Sequence, residues 1–187
     1  MRNNRLLQAF AVALCLVLAM AFAGTESFAA TKGEVDASVK AALDRFKKEV
    51  KGAPEYLKAA KGVLIMPNIT KAGFIVGAQY GTGALQVGGK TLAYYSLAGG
   101  SLGFQAGAEK YDMVILFMTN ESLKKFRDSK GWEAGVDAEV TLVSTGADAT
   151  VETLRSQSPV VGFVFDQKGL MGGVSIKGAK FTKTNLK

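Results

Sequence analysis

Asp137 and Glu139 stand two apart in the stretch GVDAEV, a spacing that puts both carboxylates on one face of a strand. A carboxylate pair of this kind is suited to general acid–base work. It is equally what the wet face of a half-buried strand displays, and nothing else completes a catalytic set. The chain contains no histidine, which removes the commonest general base, the commonest metal ligand and the usual partner of a nucleophilic serine. A hydrolase would have to work with carboxylates such as Asp112, Asp137 or Asp166, and no motif surrounds them. The sequence therefore reads as non-enzymatic, with no catalytic residue, no metal ligand and no cofactor.

The glycines were the other candidates for chemistry. Gly81-Thr82-Gly83 starts like a dinucleotide fingerprint, but Gln86 stands where the third glycine belongs and no helical pattern follows. The stretch GALQVGGKT ends like a phosphate-binding loop, yet Gly83 lies one residue too far back and LAYYSL reads as a strand. Backbone amides in such a place do not converge on a phosphate. The pair Gly88-Gly89 in VGGK is instead a hairpin turn, where positive φ is required. The glycines of KAGF and GFQAG mark bends or close backbone approach within strands.

Residues 1–29 resemble a cleaved signal peptide: Arg2 and Arg5, an uncharged apolar run from Ala9 to Ala23, then Ser27-Phe28-Ala29. The run is 15 residues, short of the ~20 that a bilayer-spanning helix needs. Cys15, the only cysteine, falls inside it behind Leu14, a poor lipoprotein site. Disulfides and thiolate metal sites are then excluded for the mature chain. The expected location is the periplasm or the extracellular side, peripheral on a membrane. A formal net charge of +7 favours anionic partners, and export disfavours nucleic acid among them.

The elements that must position the basic residues follow from periodicity. Val35, Val39, Ala42, Leu43, Phe46 and Val50 recur at helical spacing between Gly33 and Lys51, giving an amphipathic helix with Lys40, Lys47 and Lys51 beside its apolar stripe. Gly52 ends it, and Pro54 opens a shorter helix, PEYLKAA. After Lys61 come short apolar runs punctuated by glycine: GVLIMP, AGFIVGAQY, TLAYYSL, SLGFQAGA and DMVILFM. One helix, ESLKKFRDS, capped by Thr119 or Asn120, separates these from WEAGVDAEVTLV, VVGFVFD and GLMGGVSIKG. The order predicts an α+β fold with a mainly antiparallel, strongly curved sheet, a sandwich or partly closed barrel, in one domain from residue 30 to residue 187.

Four blocks, AKGVLIMPNITKAGFIVGAQYGTGAL, YYSLAGGSLGFQAGAEKYDMVILFMT, GWEAGVDAEV and GLMGGVSIKG, together resemble the SYLF domain family, from about Val35 to Phe181. The family occurs in bacterial secreted proteins and in eukaryotic lipid-binding proteins. The resemblance implies a lipid-binding module, with phosphoinositide and actin binding among eukaryotic relatives and an amphipathic N-terminal helix at the membrane. In an exported protein of a bacterium-like cell, phosphoinositides and actin are not the expected partners.

Together these readings predict an envelope module that binds anionic phospholipid or glycolipid headgroups through its amphipathic helix and basic residues. Lys40, Lys47 and Lys51 are the leading candidates, with Lys58, Lys61 and Lys71 extending the patch. Each lysine near an anionic surface contributes ~1 kcal/mol, so several must act together. The alternative is an envelope scaffolding protein that binds another protein or itself.

Overall fold

The structure is a computed structural model that describes residues 30–143, 145–147, 149–169 and 175–187, with the backbone alone described at 74–76, 101–106 and 169. The signal-peptide reading of residues 1–29 lies outside the described residues. Four helices and six strands are described: α1 (Lys32–Glu49), α2 (Ala53–Ala59), β1 (Gly62–Val87), β2 (Lys90–Phe117), α3 (Asn120–Asp128), β3 (Trp132–Glu133), β4 (Thr141–Val143), α4 (Val151–Gln157), β5 (Val160–Gly169) and β6 (Lys180–Thr184). The fold is α+β, its sheet mostly antiparallel and curled into a half-barrel.

Five of the expected short strands are two long ones. GVLIMP and AGFIVGAQY join in β1, and TLAYYSL, SLGFQAGA and DMVILFM join in β2. The two pair antiparallel from Gly62↔Phe117 to Val87↔Lys90, with register shifts at Met66/Ile69, Gly73/Ile75 and Leu85/Gln86. Pro67 lacks the N–H that a ladder needs, and the first shift falls there, with Asn68 at φ 51°. Along its other edge β2 pairs with β6 through Tyr94–Ala98 and with β5 through Glu109–Phe117. The order is β3-β6-β2-β5-β4, with β1 joined to β2, and β4 and β5 form the one parallel pair described.

The curl brings distant parts of β1 together. Gly83 lies against the backbone of Ile65 so closely that a Cβ would have no room, and a Cβ at Gly81 would press on the Ile69 side chain. Gly83 thus permits close approach of one backbone to another, and Gly81 leaves room for a packed side chain. Gly88 (φ 58°) and Gly89 (φ 76°) make the hairpin turn between Val87 and Lys90.

Two cores lie on opposite faces of the sheet. On the enclosed face Leu64, Met66, Ile69, Met113, Ile115 and Phe117 meet α3, Trp132 and the C-terminal residues Ile176, Ala179 and Phe181. Phe126 of α3 is the hub there, its ring 4.7 Å from those of Tyr95 and Phe117 and 5.4 Å from Trp132. On the other face α1, α2 and α4 cover Ile65, Val114, Leu116, Val161 and Phe163. Thr31 begins α1 with a capping box closed by Glu34, and Thr119 caps α3.

Two sequence readings are corrected. WEAGVDAEVTLV is not one strand: β3 and β4 are short, and Gly135 (φ 84°) turns the chain between them. The Asp137 carboxylate accepts the Glu133 backbone N–H at 2.6 Å, so Asp137 is a turn residue rather than half of a strand-face pair. GLMGGVSIKG also fails as a strand where described. Ser175 and Ile176 are irregular, Lys177-Gly178 is a turn, and the strand is the next segment, β6.

A lysine-lined cleft between two helices and the hairpin turn

Whether the stripe of α1 faces lipid or protein is decided by its contacts. Val35, Val39, Ala42, Phe46 and Val50 are all buried against the sheet. Phe46 sets its ring 5.4 Å from both Phe163 and Phe165. Each fully buried side chain of this size stabilises the docked helix by about 1.5–3 kcal/mol. That exceeds the ~1 kcal/mol that one surface lysine could return at a membrane. The apolar stripe is therefore core, and α1 presents its polar side outward.

The docked helix is also held electrostatically. Arg45 donates from Nε (2.7 Å) and Nη2 (2.5 Å) to Oδ2 of Asp112, whose Oδ1 accepts the Asn68 N–H at 2.8 Å. Arg45 also lies 3.2 Å from Asp166, which pairs with Lys168 at 3.1 Å. Asp166 (φ 50°) sits where β5 shifts register against β2, and its N–H reaches Oε2 of Glu49 at 3.2 Å. Asp112 and Asp166, read from sequence as the carboxylates open to a hydrolase, are thus engaged in clamping α1 to two bulged strands.

The six candidate lysines do not form one patch. Lys47 and Lys58 come together in a cleft of about 450 Å³ between α1, α2 and the β1–β2 turn. Leu43, Leu57 and Val63 supply its apolar wall, and Gly88-Gly89 its far rim. Among the described residues that line it, the charged ones are both lysines. Lys40, Lys51 and Lys61 are exposed but are not among the described residues that line it.

Lys71 departs furthest from expectation. It is 7% exposed and lies directly across the ladder from Glu109, itself 2% exposed. Both follow the alternation of Ile69 and Tyr111, which points into the enclosed face. Burial pushes the Glu109 carboxyl above its usual range, and Lys71 opposes that shift. Among the described residues Oε2 of Glu109 has no hydrogen-bond partner. Nearby, Tyr111 donates to Oε1 of Gln79 at 2.7 Å, and burial followed by the Glu109 charge raises the Tyr111 phenol. Lys71 is therefore no part of a surface patch.

Sequence reasoning missed the cleft walls. Leu43 was placed in the buried stripe but sits half-buried at its edge, and Gly88-Gly89 was read only as a turn. Among the described residues no group of three or more acidic, histidine or cysteine side chains could hold a metal ion. No described helix is long and apolar enough to cross a membrane.

Residues 98–186 match the family model described as Ysc84, Las17-binding protein actin regulator. Over these residues, just under half of the chain, the sequence is similar to the SYLF family. The SYLF match runs from β2 through β6 and includes the Asp112 and Asp166 side of the α1 clamp. Lys47 and Lys58 precede it. The SYLF family is one of binding domains. No curated protein matches the chain.

Proposed function

We propose that the protein is a non-enzymatic lipid-binding module of the bacterial envelope that takes an anionic phospholipid or glycolipid headgroup in the cleft between α1, α2 and the β1–β2 turn. One observation carries the reading: Lys47 and Lys58 converge on a cleft whose wall is apolar and whose charged lining, among the described residues, is basic. Ammonium groups would pair with the phosphate while the half-buried Leu43 and Leu57 meet the first carbons of the lipid. The +7 net charge draws the protein toward an anionic surface. Export by the segment 1–29 would put the module in the periplasm or outside the cell, peripheral on a membrane. The SYLF match supports a binding role.

Binding here differs from insertion of the amphipathic helix. The stripe of α1 stays on the sheet, and the helix contributes Lys47 from its outward side. Co-sedimentation with phosphatidylcholine vesicles, with and without phosphatidylglycerol, tests the reading. Binding should require the anionic lipid and weaken as salt rises. Absence of binding, or equal and salt-insensitive binding to both vesicles, would refute it.

A further inference from the structure

We infer that the tip of the β1–β2 hairpin enters the outer layer of an anionic bilayer, so that the protein reads a headgroup in place on a membrane rather than withdrawing a lipid from it. The inference rests on the headgroup reading above and adds to it the element that touches the membrane.

The tip runs Val87-Gly88-Gly89-Lys90-Thr91-Leu92 and carries two of the five large hydrophobic side chains that stand exposed among the described residues. Val87 is 36% exposed and Leu92 49%. Single exposed apolar residues are ordinary, but these two flank one turn. Nothing lies within 4 Å of where a Cβ would stand at Gly88 or Gly89, so the turn projects into open space. The register shift at Leu85/Gln86 leaves Leu92 outside the paired ladder, beside the buried pair Leu85 and Ala93.

Charge chooses the occupant. Gly88 and Gly89 are the rim of the cleft that holds Lys47 and Lys58, and Lys90 follows them, exposed. Apolar side chains at a projecting turn, with lysines set around its base, fit an anionic interface: the apolar groups enter the acyl boundary while the ammonium groups stay among phosphates. On its other side Leu92 lines a cleft with Lys32, Lys183 and the single carboxylate Asp36, so the charge around the tip is mostly basic, a balance that favours phosphates over a protein surface of mixed charge.

The test uses the full-length chain. In Leu92→Trp the new indole should be quenched by brominated acyl chains in phosphatidylglycerol-containing vesicles. Trp132, the only native tryptophan, is 2% exposed and should stay unquenched in the parent protein. Val87→Ser with Leu92→Ser should weaken vesicle binding about tenfold while binding of monomeric dihexanoyl phosphatidylglycerol is unchanged. Vesicle binding without quenching at position 92 would overturn the tip proposal and leave the headgroup reading standing. Failure of the parent protein to bind either lipid form would overturn both. A dimer lost in the double serine variant, with position 92 unquenched, would make the tip a self-association surface and overturn the proposal.

Discussion

Arg45 on α1 donates from Nε to Oδ2 of Asp112 on β2 at 2.7 Å, tying the helix that carries Lys47 to the strand at the middle of the sheet. Asp112 is almost fully buried, whereas Arg45 keeps a third of its side chain in solvent. The pair is therefore partly screened, and its worth lies in not leaving Asp112 unpaired. Arg45→Met should destabilise the fold by about 2 kcal/mol, and adding Asp112→Asn should recover part of the loss. Urea unfolding of both variants checks this. A single variant as stable as the parent would mean that burial of the stripe alone docks α1.

Glu109 makes stability depend on pH. Its carboxyl is held above its ordinary value of 4.5 by burial, with Lys71 offsetting part of the shift. The folded protein thus holds this proton more tightly than the unfolded chain does. This group's contribution to stability falls as pH rises from the unfolded value through the folded one, and the full penalty persists above it. Glu109→Gln should be more stable than the parent at pH 7, with the advantage shrinking as pH falls toward 4.5. Chemical denaturation across that range measures it. A variant less stable at pH 7 would show that Glu109 is ionised and favourably paired with Lys71.

Gly83 tests the curl of the sheet. A Cβ at this position meets the Ile65 carbonyl, which is backbone and cannot swing aside. Gly83→Ala should cost about 3 kcal/mol, at the upper end of ordinary overpacking, as seen in a thermal or urea melt. Gly100→Ala, where a Cβ meets nothing within 4 Å, is the control and should cost little. Equal effects at both sites would mean that β1 does not fold back on itself this closely.

Helical periodicity made α1, α2 and α3 readable to within a residue or two, because each carries a cap residue and buried positions at helical spacing. The seven-residue α4 was missed: it buries a single side chain, Leu154, and its signal was only Thr150 capping ahead of Glu152. Glycine punctuation suggested five strands where two long ones run, since glycine bends a strand without ending it. The lysines were legible as charge beside a stripe. Their sorting was not, because the cleft exists only where α2 and the hairpin turn meet α1. The burial of Lys71 follows from its register opposite Glu109, which no local pattern discloses.

The most direct measurement compares charge reversals on the helices by co-sedimentation with phosphatidylglycerol-containing vesicles. Lys47→Glu with Lys58→Glu alters the cleft, whereas Lys40→Glu changes an exposed lysine on the same helix as Lys47 but outside the described cleft lining. At ~1 kcal/mol per lysine, reversing both cleft charges should weaken binding at least tenfold, and Lys40→Glu by only a few-fold. All three positions are exposed, so melting temperatures should stay close to that of the parent. Unchanged binding in the double variant, or an equal loss in Lys40→Glu, would contradict a headgroup site between Lys47 and Lys58.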